Sequence, residues 1–289
     1  MPRAMVTGAQ GMLGTALRAC VPYGVAMAGV DLEDGDLARP GTARRLLGEH
    51  SPDVVLHCAA WTDVDGCTRD PDRAMLQNGQ ATAWLAEACA LSGVRLVYMS
   101  TDYVFPGDAG RGYAETDAPR PLNPYGVSKL AGEVAVATVG DHAIVRTQWL
   151  FGPCGRNFVA TIVSAASTRD ELRVVADEYG SPTYTLDLAP ALWGVALDDV
   201  KGILHLTGGG VCSWYDLAKE ALAAADSRVA VHPVSSTDWG SVTVRPRFSA
   251  LATERGRSLG HRPLRPWQQA VREYVSEHLR QGDAAAGGA

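Results

Sequence analysis

The chain has 289 residues with 26 basic and 32 acidic side chains, a formal charge of −6, and 46% hydrophobic residues. This composition is typical of a soluble globular protein, and the length allows one extended domain or two. The acidic balance without a basic run argues against a nucleic-acid partner. No apolar run is long enough for a signal peptide or a membrane span, so we expect a cytoplasmic protein with no membrane partner.

Apolar runs alternate with helix-length segments through the first half of the chain. The predicted strands are Ala4–Val6, Val25–Val30, Val54–His57, Arg95–Met99 and Ala143–Arg146. The predicted helices between them are Leu13–Cys20, Thr42–Gly48, Ala74–Leu91 and Tyr125–Thr138. Strands joined by helices predict right-handed crossovers, and therefore an α/β fold with a doubly wound, Rossmann-like parallel sheet.

The pattern is looser after about residue 152. Helices are predicted at Phe158–Ala166, Leu188–Leu197 and Trp214–Ala225, and one more strand at Gly202–Leu206. We therefore expect a dinucleotide-binding domain over residues 1–150, to which elements from about 181–208 return. Residues 151–280 are expected to form a smaller, mainly C-terminal substrate-binding region, and residues 281–289 a disordered tail.

The six cysteines lie far apart, and none forms a Cys-x-x-Cys pair. This spacing differs from that of a disulfide scaffold or a zinc site. We expect buried free thiols and no metal site.

The run Gly8-Ala9-Gln10-Gly11-Met12-Leu13-Gly14 stands between the first predicted strand and helix. Small residues there let the backbone approach a pyrophosphate, and the helix N-terminus offers free N–H groups. A plain strand-to-helix turn would also use glycine, but the surrounding elements favour dinucleotide binding. Asp31, at the end of the second strand, is a candidate to bind the adenosine ribose, or else a strand-end turn residue. Asp36 and Leu37 are candidates to face the adenine.

Tyr125 and Lys129 lie one turn apart on one face of a predicted helix that follows Pro124. A neighbouring ammonium favours the phenolate form of a tyrosine and lowers its pKa, so the pair predicts a proton relay. A surface tyrosine and a solvated lysine are the alternative. Thr101, at the carboxyl end of the fourth strand, faces the same predicted crevice and is a candidate to bind a substrate oxygen, or else a turn-capping residue.

Together these motifs resemble the extended short-chain dehydrogenase/reductase superfamily. Further blocks resemble the dTDP-4-dehydrorhamnose reductase family: residues 58–65 (CAAWTDVD), 100–105 (STDYVF), 121–126 (PLNPYG), 146–149 (RTQW), 180–183 (GSPT) and 214–216 (WYD). The blocks extend from the amino terminus to about residue 250. STDYVF and Gly-x-Pro-Thr are specific to that branch.

The resemblance implies that NAD(P)H delivers hydride to the C4 ketone of a dTDP-4-keto-6-deoxyhexose. Tyr125 would protonate the oxygen, Lys129 would tune Tyr125 and hold the nicotinamide ribose, and Thr101 would orient the carbonyl. Ala59, Ala60 and Thr62 are expected to line the cofactor site. The residues expected to contact the substrate are Asp102, Tyr103, Trp149, Asn157 and Arg247. Arg245 and Arg247 form a pair that could neutralise a nucleotide diphosphate, with an exposed loop pair as the alternative.

Two residue positions qualify the resemblance. Asn78 resembles the structural asparagine of the superfamily, although an exposed helical asparagine is an equal alternative. Some family members join dimers through a magnesium ion held by glutamates, but the position after the third glycine is Thr15 here. Neither that metal nor that dimer is therefore predicted, and either a monomer or a homodimer is expected.

The sequence leaves open the choice of cofactor and two alternative functions. Asp31 favours NADH and Arg39 could reach a 2′-phosphate, so dual use of NADH and NADPH is expected. A dehydratase or epimerase with bound NAD would use the same catalytic residues, but Tyr103 stands where such dehydratases carry a glutamate. A non-catalytic regulatory subunit would not need an intact Thr101, Tyr125 and Lys129.

Overall fold

A computed structural model describes residues 1–260 and 263–279 of the chain. The strands, numbered along the chain, are β1 (Arg3–Thr7), β2 (Ala26–Val30), β3 (Val54–His57), β4 (Arg95–Thr101), β5 (His142–Thr147), β6 (Leu150–Phe151), β7 (Glu171–Val175), β8 (Tyr179–Gly180), β9 (Thr183–Tyr184), β10 (Gly202–His205), β11 (Cys212–Ser213) and β12 (Ala230–Val234).

The α-helices are α1 (Met12–Ala19), α2 (Thr42–His50), α3 (Val64–Arg69), α4 (Pro71–Ala74), α5 (Ala81–Ser92), α6 (Pro124–Val136), α7 (Phe158–Ala166), α8 (Thr185–Leu197), α9 (Trp214–Ala224), α10 (Ser236–Trp239), α11 (Glu254–Ser258) and α12 (Trp267–Tyr274). Two π-helical segments, Met75–Gln80 and Val275–Leu279, and one 3₁₀ turn, Asp102–Val104, complete the helical elements of the described residues.

Six strands form one parallel sheet in the order β10–β5–β4–β3–β1–β2. Helices α1 and α8 pack together on one face, over a core that includes Leu17, Val97 and Trp193. Helices α2, α5 and α6 cover the other face, over Leu85 and Tyr98. The doubly wound parallel sheet predicted from the sequence is confirmed, and β10 returns to it beside β5.

Helices α3 and α4 pack against α6, and α11 packs against β10. Most of the other elements after β5 form a smaller region beside the sheet. Three short pairings, β6–β9, β8–β11 and β7–β12, hold it together, and α7, α9 and α12 pack around them. Phe151, Tyr184, Trp267 and Tyr274 are buried in its core. The predicted tail at 281–289 lies outside the described residues.

The predicted continuous helix over Ala74–Leu91 is wrong in detail, because its first part is π-helical over Met75–Gln80. This wider turn contains Asn78, which is buried, and Gly79, which lies close against the Ser128–Ala131 stretch of α6. The sequence periodicity could not show this, because the widening accommodates a contact with another helix. No helix in the described ranges is long and apolar enough to cross a membrane.

Candidate active site

The glycine turn between β1 and α1 leaves no room for side chains where the backbone folds against itself. Gly8 has φ +67°, and a methyl group there would lie 2.8 Å from the backbone of Ala59. A methyl group on Gly14 would lie 2.2 Å from the carbonyl oxygen of Gly8. Gly11 differs, because an added methyl would meet only that same oxygen, at 3.2 Å. Gly8 and Gly14 are thus needed for packing, whereas Gly11 keeps the cleft open.

The N-terminus of α1 opens into a cleft of about 420 Å³. No described side chain caps this end of the helix, and its first turn contains no acidic residue. The free N–H groups of Met12 and Leu13 and the positive end of the helix dipole therefore favour an anion. With Gly11 beside them, these donors fit the pyrophosphate of a dinucleotide. All three residues line the cleft.

Asp31 holds the glycine turn in place. Its carboxylate accepts hydrogen bonds from the backbone N–H of Gln10 and of Leu32, both at 2.9 Å. The Gln10 side chain is exposed and donates to Glu33. An ionised carboxylate has about four acceptor positions, so Asp31 can still accept from a ribose hydroxyl. Arg39 lies 3.9 Å from Asp36 and is largely exposed, so its guanidinium is free to turn.

A small pocket beside Asp31 collects the residues predicted to surround the adenosine. It is lined, among others, by Asp31, Asp36, Leu37, Ala59 and Ala60. Ala60 also lines the cleft, as does Thr62. The pocket and the cleft both include Gly8, so they form one continuous path along the carboxyl edge of the sheet.

Thr101, Tyr125 and Lys129 meet in the cleft. Thr101 ends β4, while the other two lie on α6, which begins at Pro124 and is capped by Asn123 accepting from the N–H of Gly126. This cap fixes the first turn of the helix, and therefore the position of Tyr125.

The Thr101 hydroxyl donates to Asp102 Oδ1 at 3.1 Å and accepts from the backbone N–H of Tyr103 at 3.2 Å. Tyr103 presents its ring edge-on to Tyr125, with centroids 5.7 Å apart. Asp102 and Tyr103 also line the cleft, so both predicted substrate contacts lie beside Tyr125 and Lys129.

Burial dominates the protonation of these groups. It raises the pKa of Tyr125 well above its usual value; the Asp102 carboxylate raises it further, and the interaction with Thr101 lowers it. Burial also raises the pKa of Asp102 to about 7, against the hydrogen bonds from Ser249 and Thr101. It lowers the pKa of Lys129 to about 7, while the Glu133 carboxylate raises it.

These pKa shifts correct one expectation. Lys129 is not among the described groups that shift the pKa of Tyr125. Its Nζ instead donates to the carbonyl oxygen of Met99 at 2.7 Å and lies 4.2 Å from the centre of the Tyr98 ring. The net effect on Tyr125 is a raised pKa, so the lowering expected from Lys129 does not prevail.

A buried ion pair lies one turn further along α6. Glu133 accepts from Arg146 Nε at 2.8 Å and Nη2 at 2.6 Å, and from the Ser100 hydroxyl at 2.6 Å. Both charged side chains are at most 5% exposed. This pair joins α6 to β4 and β5 directly below Thr101 and Lys129.

Asn78 joins the segment after β3 to helix α6 by hydrogen bonds. Its Oδ1 accepts from the Trp61 N–H at 2.8 Å, and its Nδ2 donates to the Trp61 carbonyl and to Ser128 Oγ, each at 3.0 Å. It is 1% exposed. Of the two alternatives that the sequence left open for Asn78, the buried structural asparagine is therefore confirmed, and the exposed helical asparagine is wrong.

Two stacked tryptophans separate the cleft from a second cavity. The rings of Trp149 and Trp214 are 3.5 Å apart and nearly parallel, at 9°. Trp149 has φ +48°, unusual for a residue with a side chain, and Gly180 lies directly against its ring. The second cavity, of about 610 Å³, has Trp214 in its wall. Its lining combines aromatic and charged side chains, including Phe158, Arg169, Arg173, Glu178, Trp239 and Arg245.

Two predicted substrate contacts lie elsewhere. Asn157 caps α7 by accepting from the Ala160 N–H, and its Nδ2 donates to the Gly152 carbonyl and the Tyr274 hydroxyl. Its polar atoms therefore already have partners within the protein. Arg247 is exposed and is not among the described residues that line either cavity.

Three residues that the structure brings to these cavities received no role from the sequence: Gln148, Glu178 and Trp214. Trp214 Nε1 donates to Glu178 Oε2 at 3.2 Å, and Arg245 lies 3.4 Å from Asp65. Arg245 was considered as a pair with Arg247, but the sequence offered no signal for which of the two turns inward.

Comparisons with known proteins agree with this architecture. The RmlD substrate binding domain family matches residues 2–280. The dTDP-4-dehydrorhamnose reductase of Streptomyces griseus is 41% identical over 94% of this chain and 92% of its own length. The spore coat polysaccharide biosynthesis protein SpsK of Bacillus subtilis is 38% identical over 96% of this chain and 98% of its own.

Among solved structures, the dTDP-4-dehydrorhamnose reductase of Bacillus anthracis in complex with NADP superimposes with a TM-score of 0.93. It is 35% identical and covers 96% of this chain and 100% of its own. Agreement of this extent includes both the sheet and the smaller region.

Proposed function

Because the chain belongs to the RmlD substrate binding domain family, we propose that it is an NAD(P)H-dependent reductase of a dTDP-4-keto-6-deoxyhexose. The ketone at C4 of the sugar would become an alcohol. One observation carries the proposal: Thr101, Tyr125 and Lys129 meet in a cleft between the glycine turn and the cavity behind Trp214. The Streptomyces and Bacillus anthracis relatives named as reductases support it.

The lining of the second cavity suits the nucleotide part of a sugar-nucleotide substrate. Aromatic walls from Trp214, Trp239 and Phe158 suit a pyrimidine base, and the guanidinium groups of Arg169 and Arg245 suit a diphosphate. Of the two arginines that the sequence offered for a diphosphate, Arg245 is the one that lines this cavity. The sugar would then lie toward Trp149, between this cavity and Tyr125.

The glycine turn and the N-terminus of α1 would hold the cofactor's pyrophosphate, and Asp31 its adenosine ribose. When bound, the cofactor supplies the hydride that adds to the sugar's carbonyl carbon. Gly11 gives the backbone the close approach that this requires. Since Asp31 is a single carboxylate in a partly exposed pocket and Arg39 is free to turn, both NADH and NADPH would be accepted.

Tyr125 would donate its hydroxyl proton to the oxygen of the former ketone. Its raised pKa keeps it protonated at neutral pH, which is the form that an acid needs. Thr101 would direct its hydroxyl to the same oxygen. Lys129, whose Nζ donates to the Met99 carbonyl at the wall of the same cleft, would hold the nicotinamide ribose.

Incubation with NADPH and a panel of dTDP-4-keto-6-deoxyhexoses, with and without a 3,5-epimerase, tests the proposal. We expect NADPH oxidation with at least one sugar and, by NMR, a product with a new C4 hydroxyl. Failure of the whole panel, together with NAD-dependent turnover of a dTDP-hexose that has no ketone, would instead indicate a dehydratase or epimerase. Failure of both reactions in protein that binds the cofactor would indicate a non-catalytic subunit.

A further inference from the structure

Gln148 places an unpaired hydrogen-bond donor at the wall of the catalytic cleft. It directly follows β5, is 2% exposed and lines the cleft. Its Oε1 accepts from the backbone N–H of Ser181 at 3.0 Å. Because that N–H can only donate, the atom facing it must be the oxygen, which fixes the orientation of the amide. Nε2 therefore points the other way, and it has no partner among the described residues.

The position of this amide is tightly fixed. A methyl group on Gly180 would lie 2.7 Å from Gln148 Oε1 and 2.6 Å from the ring of Trp149, so the chain has room only for glycine there. The next residue, Trp149, has φ +48° and stacks on Trp214. A backbone held in a sparsely populated conformation next to an unpaired buried donor is a costly arrangement, and such arrangements cluster at ligand sites.

The neighbours of Gln148 indicate which ligand it faces. Thr147 pairs in register with Thr101, so Gln148 lies one residue beyond the strand position beside the catalytic threonine. Thr147 Oγ1 is also buried and without a partner in the described chain. Gln148 is anchored by Ser181 and directly precedes Trp149. It follows β5, whereas Asp31 follows β2, and β4, β3 and β1 lie between these two strands in the sheet. These contacts place it against the sugar rather than the adenosine half of the cofactor.

We propose that Gln148 Nε2 donates a hydrogen bond to a hydroxyl oxygen on the sugar ring, and that this contact selects hexoses that retain this oxygen over their deoxygenated counterparts. The inference rests on the proposed function, since it names a specificity determinant of the same site. A site built to pair with a substrate hydroxyl discriminates strongly against an analogue that lacks it, because the donor is then left unpaired.

Gln148→Glu is the sharpest test, because glutamate keeps an acceptor for the Ser181 N–H and replaces only the donor. Gln148→Met is the matched control that loses both. At pH 8, we expect Gln148→Glu to lower kcat/KM for the 4-keto sugar at least tenfold, with unchanged Kd for NADPH and for dTDP. Burial of the new carboxylate should also lower the Tm. The preference for a hydroxylated sugar over its 2- or 3-deoxy counterpart should fall toward one. Gln148→Met should show the same sugar-selective loss with a lower Tm.

Three results would overturn the inference. A wild-type kcat/KM and a wild-type sugar preference in Gln148→Glu, whatever its Tm, would mean that Gln148 only holds Ser181. A weakened NADPH Kd with unchanged sugar preference would assign the donor to the cofactor. If the wild-type protein reduces no sugar, the proposed function fails, but binding still tests Gln148. The Kd for a dTDP-6-deoxyhexose is then divided by the Kd for dTDP in each protein. The same ratio in wild type and in Gln148→Glu would refute the contact.

Discussion

Replacing Gly14 with alanine separates the packing role of the glycine turn from its ligand role. The new methyl carbon would lie 2.2 Å from the Gly8 carbonyl oxygen and 2.7 Å from Ala9 Cα, where an ordinary contact begins at 3.4 Å. The turn and α1 must therefore separate by about 1 Å, and both contacts are backbone atoms that cannot swing away. Overpacking of this kind costs about 1–3 kcal/mol, and it displaces the N–H groups that would hold the pyrophosphate.

Gly11→Ala is the matched control, because its methyl would meet only one atom, at 3.2 Å, and would otherwise enter the cleft. We expect Gly14→Ala to lower the Tm by several degrees and to weaken NADPH binding. Gly11→Ala should leave the Tm nearly unchanged and still weaken NADPH binding at least tenfold. Thermal unfolding and NADPH fluorescence titration measure both. A Gly14→Ala protein with wild-type Tm and NADPH affinity would refute the packing argument, and a Gly11→Ala protein with wild-type affinity would refute the pyrophosphate site.

Three further predictions concern the chemistry. Tyr125→Phe should lower kcat at least about 100-fold while NADPH affinity stays within twofold, because only the proton donor is lost; more than a tenth of wild-type activity would remove Tyr125 as the acid. The pKa of Lys129 is about 7, so its ammonium is present below that pH and lost above it, and kcat/KM should fall as the pH rises through 7. Glu133→Gln should move this fall in kcat/KM to lower pH, because it removes the carboxylate that raises the lysine pKa. If the fall does not move, or if it disappears only in Asp102→Asn, the titrating group is Asp102. Asp31→Ala should shift the ratio of kcat/KM values toward NADPH from a wild-type discrimination below about 100-fold; a fixed ratio in steady-state assays with both cofactors would leave Asp31 only its bonds to the backbone of Gln10 and Leu32.

The parts of the site that the sequence predicted depend on local patterns. Gly8, Gly11 and Gly14 are read from one turn, and Tyr125 and Lys129 from the spacing of one helix. Their meeting with Thr101 follows from the topology, because the carboxyl ends of parallel strands share an edge. The fold class followed from the same alternation of strands and helices.

The parts that were missed depend on contacts between distant segments. Trp149, just before β6, meets Trp214 at the start of α9 only through tertiary packing, and Gln148 is oriented by Ser181. Whether Arg245 or Arg247 turns inward is decided by packing near Asp65. Burial, which sets the pKa of Tyr125, also has no local signature.

Asn157 is a different kind of miss, because a local signal was present. Asparagine directly before the helix predicted at Phe158 is the usual N-cap pattern, and the structure gives it that role. The capping interpretation needed no tertiary information.

Transfer of label from the cofactor tests the central claim most directly. The protein is incubated with a dTDP-4-keto-6-deoxyhexose and NADPH that carries deuterium at the transferable C4 position of the nicotinamide. We predict one deuterium per turnover, located by NMR at C4 of the product sugar. Label retained by the cofactor, or found at another carbon of the sugar, would contradict reduction of a C4 ketone by this chain.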